Sequence, residues 1–193
     1  MFNWYAFWVY VIVTAVSPGP NNLLSMSNGS QKGLVRALPF NFGIGAGLTV
    51  VMIGCAVFCS VLTSVLPKIQ LVMRFIGAAY MLYLAWTTFV GDGKMDAEGA
   101  AGGFLSGLLL QFVNPKIFVY GIVSLQVYIL PTYAGRPWAL LGFAALLSTV
   151  GFAFTVLWAA FGSAFRRLFA AHAKAVNAVM SLLMVYCAVS LFF

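Results

Sequence analysis

Apolar runs of membrane-spanning length follow one another along almost the whole chain, and this succession limits the possible folds more than any single motif does. With 63% hydrophobic and only 7% charged residues, the 193-residue chain has too little polar surface to cover a water-soluble globule. Lipid is therefore the expected solvent. A spanning helix needs roughly 20 mostly apolar residues. About six spans with short connections then account for the length, giving an all-α integral membrane protein with one domain over residues 1–193 and no separate soluble part.

The first run, residues 4–16, has no basic residue before it, and Lys32 and Arg36 come after it. That order favours a retained helix with its N-terminus outside over a cleaved leader. Its regular part stops at Ser17-Pro18-Gly19-Pro20-Asn21-Asn22, where two prolines remove backbone donors and a glycine loosens the chain; apolar character resumes at residues 23–26. Residues 37–62 read as a second span, in which Gly43, Gly45, Gly47 and Gly54 let another helix come close to the backbone. Residues 69–90 read as a third, ending in the interfacial aromatics Tyr80, Tyr83 and Trp86. The fourth starts at Phe104, is interrupted at Asn114-Pro115-Lys116 and continues to about Leu130; residues 138–161 and 176–193 supply the fifth and sixth.

The net charge of +7 would suggest nucleic acid in a soluble protein, but the basic residues fall almost entirely between apolar runs and report topology instead. Lys32, Arg36, Lys94, Arg166, Arg167 and Lys174 lie in the first, third and fifth connections, against Lys68, Arg74 and Arg136 on the opposite side. The positive-inside rule then places both termini outside the cytoplasm. Cys55, Cys59 and Cys187 lie inside apolar stretches, where cysteine behaves as a small hydrophobe, so no disulfide and no metal site is expected. His172 stands alone, and Ser17, Cys55 and Cys59 have no nearby histidine or acid, so no enzyme and no cofactor is expected.

Divided at the polar stretch 91–103, the chain has three spans in each half, 1–90 and 103–193, and the first span of each half is the broken one. An odd number of spans per half inserts two related halves in opposite orientation, the 3+3 inverted repeat of many secondary transporters. Backbone groups freed by a break at membrane depth must be buried in protein or face water, so each break marks a candidate cavity. Freed amides at a half-helix N-terminus attract a carboxylate, and freed carbonyls at a half-helix C-terminus attract an ammonium. An α-amino acid carries both groups. The candidate substrate-binding residues are therefore Ser17, Pro18, Gly19, Pro20, Asn21 and Asn22 in the first half, with Gln111, Asn114, Pro115 and Lys116 in the second. Prolines that merely kink their helices are the plainer alternative. Lys116 either meets a substrate carboxylate or snorkels to an interface.

Ser17-Pro18-Gly19-Pro20-Asn21, followed by Gly29-Ser30-Gln31-Lys32-Gly33 and by Asn114-Pro115-Lys116, resembles the LysE/RhtB superfamily of lysine and homoserine/threonine exporters along essentially the whole chain. Residues 110–114 and 183–189 look most similar to its cysteine and O-acetylserine exporter branch. The resemblance implies a multi-pass protein of the bacterial inner membrane that moves a small neutral amino acid or derivative, cysteine/O-acetylserine-like or homoserine/threonine-like, from cytoplasm to periplasm. Its partners would be that substrate and the lipid bilayer, with a homo-oligomer compatible. Proton antiport would ordinarily follow, yet no acid lies within any expected span, because Asp92, Asp96 and Glu98 all sit in the stretch 91–103. Coupling would then use Lys116, the substrate's own titration or those acids, and uncoupled efflux fits equally. A small-solute channel is the alternative function; it calls for a continuous pore with charged rings.

The charge distribution gives a first testable outcome. A reporter active only in the cytoplasm should work when inserted in the stretch 91–103 and fail at the C-terminus; the reverse pattern would refute the orientation.

Overall fold

The computed structural model describes residues 2–90 and 103–192; Asp92, Lys94, Asp96 and Glu98 lie outside the described residues, as does the rest of 91–102. The described chain is helical throughout, with no strand: α1 (Trp4–Val16), α2 (Pro20–Lys32), α3 (Leu34–Val57), α4 (Cys59–Val90), α5 (Phe104–Val113), α6 (Pro115–Val123), a π-helical turn (Ser124–Ile129), α7 (Leu130–Tyr133), α8 (Pro137–Ala164), α9 (Arg166–Ala171) and α10 (Ala173–Ser190).

Local chemistry sets most boundaries. Asn3 caps α1 through its Oδ1, which accepts from the Ala6 N–H at 3.0 Å. Ser17 precedes a proline, is extended (φ −61°, ψ 146°) and ends that helix. Pro20 and Pro115 both occupy the first turn of the helix that restarts, where a missing N–H costs nothing. Gly33 separates α2 from α3 at φ +80°, a region that side chains with a Cβ avoid. The π turn lies just upstream of Pro131, whose ring would crowd the carbonyl of Val127 in a regular helix.

Two boundaries differ from expectation. The second span ends at Val57 rather than at 62, and α4 starts at Cys59 rather than at 69, running 32 residues straight through Pro67 and Lys68. The chain turns at Phe58 (φ −107°, ψ 22°), where neither glycine nor proline announces a stop. The basic connection containing Arg166 and Arg167 forms the short helix α9.

Among the described residues, three segments are long and apolar enough to cross a membrane: Leu34–Val57, Pro115–Tyr133 and Pro137–Ala164. α1 and α5 are too short to span alone, with 13 and 10 residues against the roughly 20 required, because each stops at a break. Polarity is distributed inside out relative to a soluble protein. Trp86, Phe89, Leu109, Leu157 and Leu182 are exposed, while Asn21, Asn22, Ser25, Asn28, Asn41, Gln111 and Asn114 are buried. α2 makes the point most clearly: its sequence PNNLLSMSNGSQK is rich in amides and hydroxyls, yet every residue from Pro20 to Gly29 is buried. Lipid accommodates the apolar exterior, and packed helices satisfy the polar groups inside.

Close crossings hold this arrangement. Where α3 passes α5, a methyl added to Gly43 would collide with the carbonyl of Phe104, and one added to Gly107 with the carbonyl of Phe40. α2 and α8 meet in the same reciprocal way: Gly29 lies against the carbonyl of Ala159 and Gly162 against that of Met26. In both pairs each glycine sits three residues after the carbonyl that faces the other helix. Ser163 Oγ accepts from the Leu34 N–H at 3.1 Å, and Ser181 Oγ donates to the Ala85 carbonyl at 2.9 Å, tying α8 to α3 and α10 to α4.

Because these collisions are with backbone, side-chain movement cannot relieve them. Gly43→Ala or Gly107→Ala should cost about 1–3 kcal/mol of stability, read as a lower melting temperature of the detergent-solubilised protein. Gly54→Ala, which meets nothing within 4 Å, should leave it unchanged.

Candidate functional site

The two helix breaks come together. In the first, the carbonyls at the end of α1 lose their continuation at Pro18, and α2 starts afresh at Pro20 without a side-chain cap from Gly19. The second break is one residue long: Asn114 (φ −91°, ψ 99°) ends α5 and opens α6, and its Oδ1 accepts from the Lys116 N–H at 3.2 Å. A negative pole at the end of α1 therefore stands beside a positive pole at the start of α2.

A cluster of amides bridges the breaks. Asn21 Nδ2 donates to Gln111 Oε1 at 2.8 Å, and Gln111 Nε2 donates back to Asn21 Oδ1 at 3.1 Å. The second Nε2 hydrogen of Gln111 goes to the Gly107 carbonyl at 2.9 Å, and Asn114 Nδ2 reaches the same Asn21 Oδ1 at 3.2 Å. Gln111 is fully buried, and Gly47 gives it room: a methyl there would lie 2.6 Å from Gln111 Cγ. Asn22 works on α1 instead. Its Nδ2 donates to the carbonyls of Ala15 at 2.8 Å and Ser17 at 2.9 Å.

Lys116 crosses from the second break to the first. Its Nζ donates to the Ser17 carbonyl at 3.0 Å, to Ser17 Oγ at 2.9 Å and, more weakly, to the Pro18 carbonyl at 3.4 Å. Ser17 Oγ in turn donates to the Thr14 carbonyl at 2.9 Å. The side chain runs over Gly19, where an added Cβ would lie 3.0 Å from Nζ and 3.2 Å from Cδ. Neither a carboxylate nor the interface receives the ammonium here: it sits on the carbonyl pole of α1.

Around this junction a cavity encloses about 420 Å³ of empty space, part of it open to the outside. Gly19, Pro20, Asn21, Asn22, Asn114 and Lys116 line it. Ser17 and Pro18 stand behind it as acceptors for Lys116, Gln111 behind it as the partner of Asn21, and Pro115 borders a smaller pocket with Gly77, Tyr80 and Leu191. The rest of the wall comes from residues outside the sequence-derived set: Thr14, Ala15, Leu48, Ile117, Tyr120, Gly151 and Thr155. Gly151 and Thr155, one helical turn apart on α8, are a small and a polar residue in an apolar helix, a faint signal. Leu48 and Ile117 carry none. Tyr120 is buried, and its hydroxyl donates to the Leu147 carbonyl at 3.3 Å.

The profile of the family described as LysE type translocator matches residues 12–193. The chain is 36% identical over 189 residues to the cysteine/O-acetylserine efflux protein of Escherichia coli strain K12, covering 97% of this chain and 96% of that one. It is 37% identical over 191 residues to the protein of the same name in Salmonella typhi, with the same coverage. No solved structure matches the chain.

The amide cluster predicts non-additive energetics. Asn21→Leu and Gln111→Leu should each destabilise the protein by about 1–2 kcal/mol, because each leaves buried amide groups without partners. The double variant should lose clearly less than the sum. Additive losses in thermal unfolding would mean that the two side chains do not depend on one another.

Proposed function

This chain belongs to the LysE type translocator family, an amino-acid exporter family, and we propose that it carries a small neutral amino acid of the cysteine/O-acetylserine kind out of the bacterial cytoplasm. One observation supports this substrate class above the rest: the carbonyl end of α1 and the uncapped start of α2 face the same cavity. An α-amino acid offers an ammonium to the first pole and a carboxylate to the second. The proposed binding set is Ser17, Pro18, Gly19, Pro20, Asn21 and Asn22 with Gln111, Asn114, Pro115 and Lys116. Asn22 from α2 and Lys116 from α6 hold the carbonyl end of α1 beside the start of α2, and no formal negative charge is needed among the lining residues.

A carrier is favoured over a channel because the lining amide of Asn21 is tied to the fully buried Gln111 and that of Asn114 to Asn21, so packed protein rather than a water path stands behind them. We propose one transmembrane domain of six spans built as a 3+3 inverted repeat, with halves 1–90 and 103–193. Its support is the exchange of partners: the broken segment of the first half packs through α2 on α8 of the second, and that of the second packs through α5 on α3 of the first. The halves differ in which piece does the packing, the one after the break in the first and the one before it in the second. The charge distribution supports insertion in the inner membrane with both termini periplasmic.

Proteoliposomes containing the purified protein should release radiolabelled O-acetylserine or cysteine. N-acetylated and carboxyl-methylated analogues, each lacking one charge, should compete poorly. Equal competition by both analogues would remove the two-pole account of recognition, and the same vesicles under an imposed pH gradient will show whether efflux follows protons.

A further inference from the structure

We propose that the Lys116 ammonium is a tethered stand-in for the substrate's ammonium: it holds the carbonyl pole of α1 while the site is empty and is displaced when substrate binds. The proposal rests on the amino-acid exporter reading above.

An ammonium has three N–H donors and no acceptor. All three have oxygens within reach, the Ser17 carbonyl, Ser17 Oγ and the Pro18 carbonyl, so no donor remains for a substrate carboxylate. The oxygens it occupies are those that the end of α1 would otherwise present to a ligand cation. Lys116 also lines the cavity, and its stem passes over Gly19. A second ammonium could not share that position, since like charges at such separation repel strongly in a medium of reduced dielectric. Occupancy by lysine and occupancy by substrate are therefore alternatives.

The chemistry suggests why a carrier would keep such a group. Carbonyls left bare at membrane depth are costly, and an empty carrier must pass through its reorientation without substrate. Lys116 supplies the missing cation on that return step, while Asn22, which donates to the Ser17 carbonyl from the other side, stays in place in both states. On the loaded step the substrate's own ammonium takes over, and the lysine swings away from α1.

The assignment separates two transport modes. In proteoliposomes, Lys116→Met should slow net efflux of O-acetylserine by about tenfold or more, because the empty carrier no longer resets, and should slow exchange of internal for external O-acetylserine clearly less. Equal loss of both modes, or no loss of either, would overturn the proposal. A second measurement needs no substrate. Lys116→Ala should melt several degrees below wild type in detergent, and n-propylammonium, but not n-propanol, should restore part of the difference while leaving wild type unmoved. If the variant is recovered folded only when n-propylammonium is present during purification, the same conclusion follows. Failure of n-propylammonium to improve either melting temperature or yield would show that no cation subsite exists there. Wild-type vesicles that move no O-acetylserine or cysteine would instead refute the exporter reading, and the n-propylammonium result would still decide the place of Lys116.

Discussion

The structure depends on one constraint: a helix that breaks inside a membrane must find partners for the backbone groups it frees. α1 stops at Ser17 because of Pro18, and its last carbonyls are met by Asn22 from α2 and by Lys116 from the other half of the sequence. The second break is satisfied by its own Asn114, whose amide then reaches back to Asn21. Each break is closed partly by residues of the other. Neither half of the chain could therefore hold its broken helix in this form alone.

Those bonds require close approach, and glycine provides it. Gly43 and Gly107 let α3 and α5 touch backbone to backbone, Gly29 and Gly162 do the same for α2 and α8, and Gly47 leaves space for Gln111 beside Asn21. In lipid no general hydrophobic force presses helices together, so contact area and interhelical hydrogen bonds must do so. α2 shows the result: a polar segment that would be a poor spanning helix on its own becomes the buried centre of the protein, surrounded by helices whose apolar residues face outward.

Much of the fold was legible because its signals are local. Long apolar runs mark helices in lipid, proline fixes where a helix can start or continue, and both breaks lie at the prolines that announce them. The turn at Phe58 was not legible, since no residue there departs from the apolar pattern, and Pro67 with Lys68 offered a more conspicuous but mistaken stopping point. The π turn before Pro131 and the burial of the whole first ten residues of α2 also had no local cue.

The site divides in the same way. The sequence by itself determined that two helices break, that amides and a lysine accompany the breaks, and, through its family likeness, that the chain is a LysE type translocator. These follow from residue type and spacing along one chain. Tertiary structure alone decided that Asn21 pairs with Gln111 across 90 residues of sequence, that Gly151 and Thr155 of α8 complete the cavity, and that Lys116 caps α1 rather than facing a carboxylate or the interface. Partners chosen across the fold depend on which helices cross and how closely, and crossing geometry is a property of the packed whole that no single segment carries.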